Sequence, residues 1–129
     1  MAVKEFDPNA FGIVIFGTLS GKEGIRRRVK MVLDTGATYT MIPWYIAEEL
    51  GYNPAASKEF VSMTTASGTI EAPLITLDFV SILDMPVKSQ QVIVHNLPES
   101  SHVDGLLGLN YLKHFKLTID FKAGILALE

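Results

Sequence analysis

The sequence contains no cysteine among its 129 residues, which excludes disulfide bonds, thiolate metal sites and cysteine nucleophiles. No apolar run approaches the roughly 18 residues that a membrane-spanning helix needs. Histidine is scarce, and its three copies fit no metal-binding spacing such as H-E-x-x-H. They are His95, His102 and His114. These absences exclude redox chemistry by the chain's own thiols and favour ordinary surface or hydrogen-bonded histidines.

The chain also has little excess charge. Its formal net charge is -3 at pH 7, which gives no general attraction to nucleic acid or to anionic lipid. The one basic cluster is Arg26, Arg27 and Arg28 with Lys30. On a strand these side chains alternate between two faces, which splits the cluster. A solvated outer face is therefore favoured over a nucleic-acid contact, and we expect neither a nucleic-acid nor a membrane partner.

The composition predicts one compact domain, because hydrophobic residues make up 48% of a chain of this length. Residues 1–10 are interpreted as an N-terminal arm and residues 11–129 as the domain. The apolar run at residues 11–17 follows acidic residues and is short, so it predicts a strand rather than a signal peptide. A soluble protein is expected, and a cytoplasmic location is favoured.

Frequent turn sequences separate short apolar segments, which is typical of a mainly β protein. Residues 11–19 and 25–33 are predicted to pair as a hairpin. Pro73 cannot donate a ladder hydrogen bond, so its strand should lie at an edge or contain a bend. In the segment 117–121, Leu117, Ile119 and Phe121 alternate with polar residues and predict a half-buried strand. Further strands are predicted at residues 59–65, 69–80, 87–95 and 124–128.

Two short helices are predicted between these strands. Pro43 is suited to the first helical position, residues 44–50 would form the helix, and Gly51 would end it. The second helix is predicted over residues 109–115, where leucine and phenylalanine recur at near-helical spacing.

The segment K-M-V-L-D-T-G-A ends an apolar strand with an acid. Asp34 is followed by Thr35, Gly36 and Ala37. A carboxylate at the end of a buried strand is costly unless backbone N–H groups or a partner compensate for its desolvation. Gly36 can adopt conformations closed to other residues and can turn amides toward the acid. Asp-x-Gly is also a common turn sequence, so a simple turn is the alternative interpretation.

Two further features follow Asp34 along the chain. One is the turn T-T-A-S-G-T at residues 64–69, and the other is V-D-G-L-L-G at residues 103–108, directly before the second predicted helix. With these elements, the sequence resembles the retropepsin-like aspartic proteases over residues 11–128. D-T-G alone is a weak signal, whereas D-T-G-A with L-L-G at this separation is a fairly specific combination.

The resemblance implies an all-β, retropepsin-like (acid protease) closed β-barrel with one or two short helices. It makes Asp34 the catalytic aspartate, with Thr35 and Gly36 completing the triplet and Thr35 bracing the loop across a dimer axis. Ala37 would contact substrate, and Gly108 would permit close approach to the Asp34 loop. The flap tip that closes over an extended peptide would be Thr65, Ala66, Ser67, Gly68 and Thr69. No metal or organic cofactor is implied.

The reaction implied by the resemblance needs two carboxylates that share a proton. The chain has one D-T-G, because Asp104-Gly105 lacks the intervening hydroxyl residue. A homodimer is therefore required, in which Asp34 meets its own copy at a two-fold axis. The substrate would be an extended peptide or protein segment that pairs its backbone with the flap.

The sequence departs from the viral members of this group at two positions. Thr38 stands where many of them carry an acid, and Leu109 stands where they carry the arginine that pairs with it. The principal hypothesis is an aspartic endopeptidase. The alternative is a catalytically silent, protease-like dimerisation or peptide-binding module. A serine nucleophile at Ser67 is not favoured, because the G-x-S-x-G motif is absent.

Overall fold

A computed structural model describes residues 1–129, and most of the chain is β-strand. The helices are α1 (Trp44–Glu49) and α2 (Leu109–Leu112). The strands are β1 (Ala2–Glu5), β2 (Val14–Ser20), β3 (Arg26–Leu33), β4 (Thr40–Ile42), β5 (Phe60–Thr65), β6 (Gly68–Ile82), β7 (Met85–Val94), β8 (Gly105–Leu107), β9 (Leu117–Asp120) and β10 (Ile125–Leu128). No helix is long and apolar enough to cross a membrane.

The predicted N-terminal hairpin is present as β2 and β3. The two strands are antiparallel, and Val14 lies opposite Val32 while Ser20 lies opposite Arg26. Val29 and Met31 are buried, whereas Arg28 on the other face is exposed. The alternation that the sequence shows therefore sets which face of β3 packs on the core.

Seven strands form one sheet in the order β2-β3-β8-β4-β7-β6-β5, and β2 also pairs with β6. This second pairing closes the sheet into a ring and confirms the all-β class. The ring is less regular than the predicted closed barrel, because β4 and β8 are joined by a single residue pair, Met41 with Leu106. The inward side chains of the ring, of both helices and of β10 form the main hydrophobic core.

Pro73 lies where the long strand β6 changes partners. It is opposite Phe60 of β5, while the pairing of β6 with β7 begins one residue later at Leu74. The residues before Pro73 pair with β5 alone, so β5 and the first part of β6 form a hairpin arm that extends from the ring. This arrangement agrees with the predicted edge position of the proline.

A second, three-stranded sheet has the order β1-β10-β9. Strand β1 lies in antiparallel register with β10, and Ala2 is opposite Leu128. The boundary between an arm at residues 1–10 and a domain at residues 11–129 stays a prediction. The prediction that Phe121 belongs to the buried side of this strand is wrong. Strand β9 ends at Asp120, and Phe121 lies in the following turn with 67% of its surface exposed.

Both helices are shorter than the sequence predicts. Pro43 has extended backbone angles and is the N-cap residue of α1 rather than its first helical residue. Helix α1 ends at Glu49, and Gly51 follows with a φ of +93°, as expected for a glycine that ends a helix. Helix α2 ends at Leu112, so Phe115 lies outside it.

Tyr111 of α2 is fully buried and anchors the helix to the turn between β6 and β7. Its hydroxyl donates a hydrogen bond to the carbonyl oxygen of Met85 (2.7 Å) and accepts one from the amide of Ile82 (3.3 Å). Burial raises the pKa of Tyr111 to about 12, because the ionised phenol is poorly solvated there. The phenol therefore acts as a neutral structural link.

Candidate active site

Asp34 follows the last residue of β3 and lies where β3 and β8 run parallel. The Asp34 amide donates to the carbonyl oxygen of Leu107 (3.0 Å), and the Leu33 amide donates to that of Ile13 (2.9 Å). Strand β8 and the residue directly before β2 therefore hold the backbone at this point. The Asp34 side chain is half-buried, while Thr35 and Gly36 are exposed.

The Asp34 carboxylate is held by its own loop. The Gly36 amide donates to Oδ1 of Asp34 (2.9 Å), and the Ala37 amide donates to the Asp34 carbonyl oxygen (3.2 Å). The structure gives no protein donor for Oδ2. One carboxylate oxygen is therefore fixed by an amide, which favours a defined side-chain orientation, and the other is free to accept a hydrogen bond.

Gly36 turns its amide toward the acid as predicted, but without left-handed backbone angles. Its φ is not positive, so the prediction that Gly36 adopts a conformation closed to other residues is wrong. A Cβ at Gly36 would lie 3.2 Å from Oδ1 of Asp34. The glycine therefore allows the carboxylate to approach closely, and a side chain here would require the carboxylate to shift by a few tenths of an ångström.

The L-L-G segment packs against the far side of the Asp34 loop. A Cβ at Gly108 would lie 2.5 Å from the backbone carbon and oxygen of Tyr39, so no side chain fits there. The amide of Leu109 donates to the Ala37 carbonyl oxygen (2.8 Å), and the amide of Asn110 donates to that of Thr38 (3.0 Å). The loop thereby satisfies free amides at the start of α2.

A buried hydrogen-bond network beside the loop was not predicted. The Thr40 hydroxyl donates to Oδ1 of Asn110 (3.0 Å) and accepts from the Gly108 amide (3.1 Å). The Thr40 amide donates to the same oxygen (2.9 Å), and Nδ2 of Asn110 donates to the carbonyl oxygen of Gln91 (2.6 Å). The only signal in the sequence is a threonine at the start of the apolar run of β4, which does not identify its partner.

The predicted flap is the hairpin of β5 and β6, and its tip is held by local bonds. Thr65 lies opposite Gly68, and its hydroxyl donates to the Gly68 carbonyl oxygen (2.8 Å). The Ser67 amide donates to the same hydroxyl (3.3 Å). Gly68 has a φ of +121°, which favours glycine. Ala66, Ser67, Gly68 and Thr69 are exposed.

A pocket of about 320 Å³ lies between the Asp34 loop and the body of this hairpin. Gly36 and Ala37 line it, but the tip residues 65–69 do not. The walls are mainly apolar and hold no charged side chain. The other lining residues are Thr38, Tyr39, Met41, Val61, Ser62, Met63, Thr64, Ile93 and Leu106. The loop and the hairpin are thus brought together in one chain, whereas the tip is not brought to the pocket.

Asp104, the other acid followed by glycine, has a structural position. Its Oδ2 accepts from the Lys30 amide (2.8 Å), and its Oδ1 accepts from the Tyr45 hydroxyl (3.1 Å). Burial, followed by this hydrogen bond, raises the pKa of Tyr45. Both carboxylate oxygens are therefore occupied, in contrast to Asp34. No group of three or more histidine or carboxylate side chains is placed to hold a metal ion.

The comparisons with known proteins agree with this geometry. A family model described as "gag-polyprotein putative aspartyl protease" matches residues 25–114, which is more than half of the chain. The chain belongs to this retropepsin-like aspartic protease family. The matched residues include both the Asp34 loop and the L-L-G strand. A search of curated proteins found no match.

The fold of the family is also found in a solved structure, a retropepsin-like aspartic protease from Rickettsia conorii. The two chains are 25% identical in sequence, and the TM-score is 0.74. The match covers 98% of the present chain and 87% of the other. The similarity therefore extends beyond the range of the family model to both terminal strands.

Proposed function

We propose that the protein is an aspartic endopeptidase that acts as a homodimer, with one Asp34 from each subunit. The observation that carries this proposal is the Asp34 carboxylate: the Gly36 amide fixes Oδ1 (2.9 Å), and Oδ2 is left without a protein donor. A free oxygen on an oriented carboxylate is what a water-activating acid or base requires.

One such carboxylate is insufficient for amide hydrolysis. One group must accept a proton from the attacking water while another donates a proton toward the scissile carbonyl. Two carboxyls about 3 Å apart do not both ionise readily, so such a pair can share one proton and supply both an acid and a base. The sequence contains a single D-T-G, and Asp104 bonds the Lys30 amide and the Tyr45 hydroxyl through its two oxygens, so the second carboxyl is proposed to be Asp34 of another copy of the chain.

The surroundings of Asp34 support an interface with that copy. Thr35 and Gly36 are exposed at the tip of the loop, where a second loop would meet them across a two-fold axis. Phe11, whose side chain is fully exposed in the single chain, is two residues from Ile13, which bonds Leu33. In the proposed dimer Phe11 would belong to the interface, where aromatic residues are enriched.

The pocket beside the loop supports a peptide substrate with a large apolar side chain. Its uncharged walls include Met41, Met63 and Ile93, and its volume of about 320 Å³ suits one such side chain. Ala37 would lie against this side chain. The tip residues Thr65, Ala66, Ser67, Gly68 and Thr69 would close over the peptide backbone when substrate binds, as lids do in many enzymes.

Substitution of the acid tests the proposed chemistry. Asp34→Asn should reduce cleavage of an unfolded protein substrate by at least roughly a thousandfold, because the two Asp34 carboxyls of the proposed dimer act together and neither works alone. The matched control is Asp84→Asn, which lies in the β6–β7 turn at a φ of +61° that asparagine tolerates. Full activity of Asp34→Asn would contradict the proposal.

Dilution tests the proposed dimer. Activity per mole of chain should fall as the concentration drops below the dimer dissociation constant, in step with the mass measured by light scattering. Hydrolysis by a species of monomer mass would contradict the shared site. Binding of a peptide without any new termini would instead indicate the non-catalytic peptide-binding module.

A further inference from the structure

Basic side chains cluster on the outer face of the ring, away from the Asp34 loop. Arg26, Ser20, Phe79 and Lys88 lie directly opposite one another across β3, β2, β6 and β7. Directly opposite residues in antiparallel strands point to the same face of the sheet. One row of this face therefore has a cation at each end and an aromatic ring between them.

The neighbouring rows continue the pattern. Arg28 lies opposite Thr18, and Lys30 lies opposite Phe16. Lys4 joins them at the wall of a shallow depression that also includes Phe16 and Arg28. We call this surface the basic face, and it consists of Lys4, Arg26, Arg28, Lys30 and Lys88 with the rings of Phe16 and Phe79.

None of the five cations of the basic face has a carboxylate partner. The ion pairs of the chain join Arg27 to Glu49 (3.3 Å) and Lys116 to Glu129 (3.9 Å), and both lie elsewhere. The five unpaired cations are concentrated on one surface of a chain whose net charge is -3. Such segregation of charge produces a local positive potential that attracts anions.

Two of the cations are already ordered by the rings. The guanidinium of Arg28 lies 4.0 Å from the ring centroid of Phe16, and that of Arg26 lies 5.2 Å from the centroid of Phe79. Stacking holds the planar group while its N–H edges remain free to bind a carboxylate. The two arginine side chains have therefore already lost part of their conformational entropy before a ligand binds, and binding costs less entropy than it would for a flexible cation.

Two depressions on the basic face give room for a bound chain. Their volumes are about 260 and 410 Å³, and both are lined by the small residues Thr18 and Ser81. Asp84 is the one acid in their walls. Because the depressions share these residues, they form one continuous shelf between the ring-stacked arginines.

We propose that the basic face binds an acidic protein segment in extended conformation, with carboxylates at alternate positions. Arg26, Arg28 and Lys30 occur at every second residue of β3, so they are spaced by about 6.8 Å. Alternate side chains of an extended peptide have the same spacing. Single-stranded nucleic acid fits less well, because the guanidiniums occupy faces of Phe16 and Phe79 on which bases would stack.

This inference does not depend on the proposed peptidase activity, since it concerns binding on a surface that excludes Asp34. The test can therefore be made with the Asp34→Asn protein, which prevents cleavage of the probe. The probe is a fluorescent peptide in which glutamate and threonine alternate. Its control has the same composition, but its glutamates are contiguous.

Arg27 provides a matched control within the same triplet, because it pairs with Glu49 and lies beside Tyr45 instead of on the basic face. Arg28→Gln should weaken binding of the alternating peptide about two- to fivefold, as expected for one exposed ion pair. The triple variant Arg26→Gln, Arg28→Gln and Lys88→Gln should weaken it roughly tenfold or more. Arg27→Gln should leave the anisotropy titration unchanged.

Four results would overturn the proposal. They are an absence of binding at low salt, equal weakening by Arg27→Gln and Arg28→Gln, equal affinity for the contiguous-glutamate peptide, and tighter binding of a single-stranded oligonucleotide. Persistence of binding in about 1 M NaCl, where the Debye length is about 3 Å, would also contradict it. Circular dichroism of each variant separates a lost contact from a lost fold.

Discussion

The Asp34 loop and the β5–β6 hairpin line the same pocket, but different kinds of contact hold them. The loop is bonded to β8 and α2, and the Thr40–Asn110 bond joins residues 70 apart in sequence. The hairpin tip is held by bonds between residues two or three apart, such as that from Thr65 to Gly68. The loop therefore depends on contacts from distant parts of the chain, whereas the tip depends on contacts within its own hairpin.

The glycines of the two regions differ in the same way. Gly108 faces the backbone of Tyr39 with no space for a methyl group, whereas nothing lies within 4 Å of a Cβ at Gly68. Gly108 is required by packing, and Gly68 by its backbone angle. Substitutions in the two regions should consequently have effects of different size and kind.

The largest effect is expected for Gly108→Ala. The new Cβ would lie 2.5 Å from the Tyr39 backbone and would displace the loop. We expect a loss of about 3 kcal/mol or more in the free energy of unfolding. A displacement of about 1 Å would lower kcat/KM roughly a hundredfold. Gly68→Ala is the control, and its backbone strain should cost about 1–2 kcal/mol. Equal destabilisation of the two variants in urea would contradict the contrast.

The next effect concerns the buried network. Thr40→Val keeps the shape of the side chain but leaves the Gly108 amide without its acceptor. The expected cost is about 1–3 kcal/mol, because a buried donor loses its partner. Thr40→Ser retains the hydroxyl and should lose less stability. If serine and valine are equivalent in urea unfolding, the hydroxyl is not important for the loop.

A smaller effect is expected for Tyr111→Phe, which removes the link between α2 and the β6–β7 turn. The bond to Met85 and the longer bond from the Ile82 amide are both lost, which should cost about 1–2 kcal/mol at neutral pH. Since burial raises the pKa of Tyr111 to about 12, the folded state retains a proton that the unfolded state releases near pH 10. The stabilisation of the folded state by this retained proton is fully present below about pH 10 and is lost as the pH rises toward 12.

Thermal unfolding between these pH values measures the effect. The wild-type protein should lose stability more steeply with rising pH than the Tyr111→Phe variant, since phenylalanine has no proton to release. Parallel pH profiles would show that another group causes the alkaline loss.

The smallest effect on stability is expected for the Thr65 side chain at the flap tip. Thr65→Val removes the bond to Gly68 in an exposed turn, so the unfolding free energy should change by less than about 0.5 kcal/mol. The tip should become less ordered, which we expect to raise KM a few-fold while kcat changes little. Loss of stability comparable to that of Thr40→Val would contradict the local character of the tip.

Local patterns in the sequence predicted much of the fold. The alternation in β3 identified its buried face, and Pro73 marked the point where β6 leaves its partner β5 for β7. Helix ends and long-range contacts were less predictable: α2 begins at the predicted residue but ends at Leu112 instead of residue 115, and its first amides bond the carbonyl oxygens of Ala37 and Thr38, which are distant in sequence. The pairing of Thr40 with Asn110 was missed for the same reason, since no local pattern encodes a contact across 70 residues.

The position of Asp34 was predicted by its motif, but its environment was not. The sequence indicated that glycine turns an amide toward the acid, and the Gly36 amide does so without left-handed angles. The closure of the sheet by β2 and β6 was also beyond local reasoning, because it depends on the twist and length of the strands between them.

The parallel alignment of β3 with β8 has a consequence for synthesis of the chain. Lys30 of β3 and Asp104, which directly precedes β8, bond each other and are 74 residues apart. At a translation rate of about 5–20 residues per second, Asp34 would leave the ribosome roughly 4–15 s before strand β8, which supports it. The nascent polypeptide thus cannot assemble the Asp34 loop until most of it has been made.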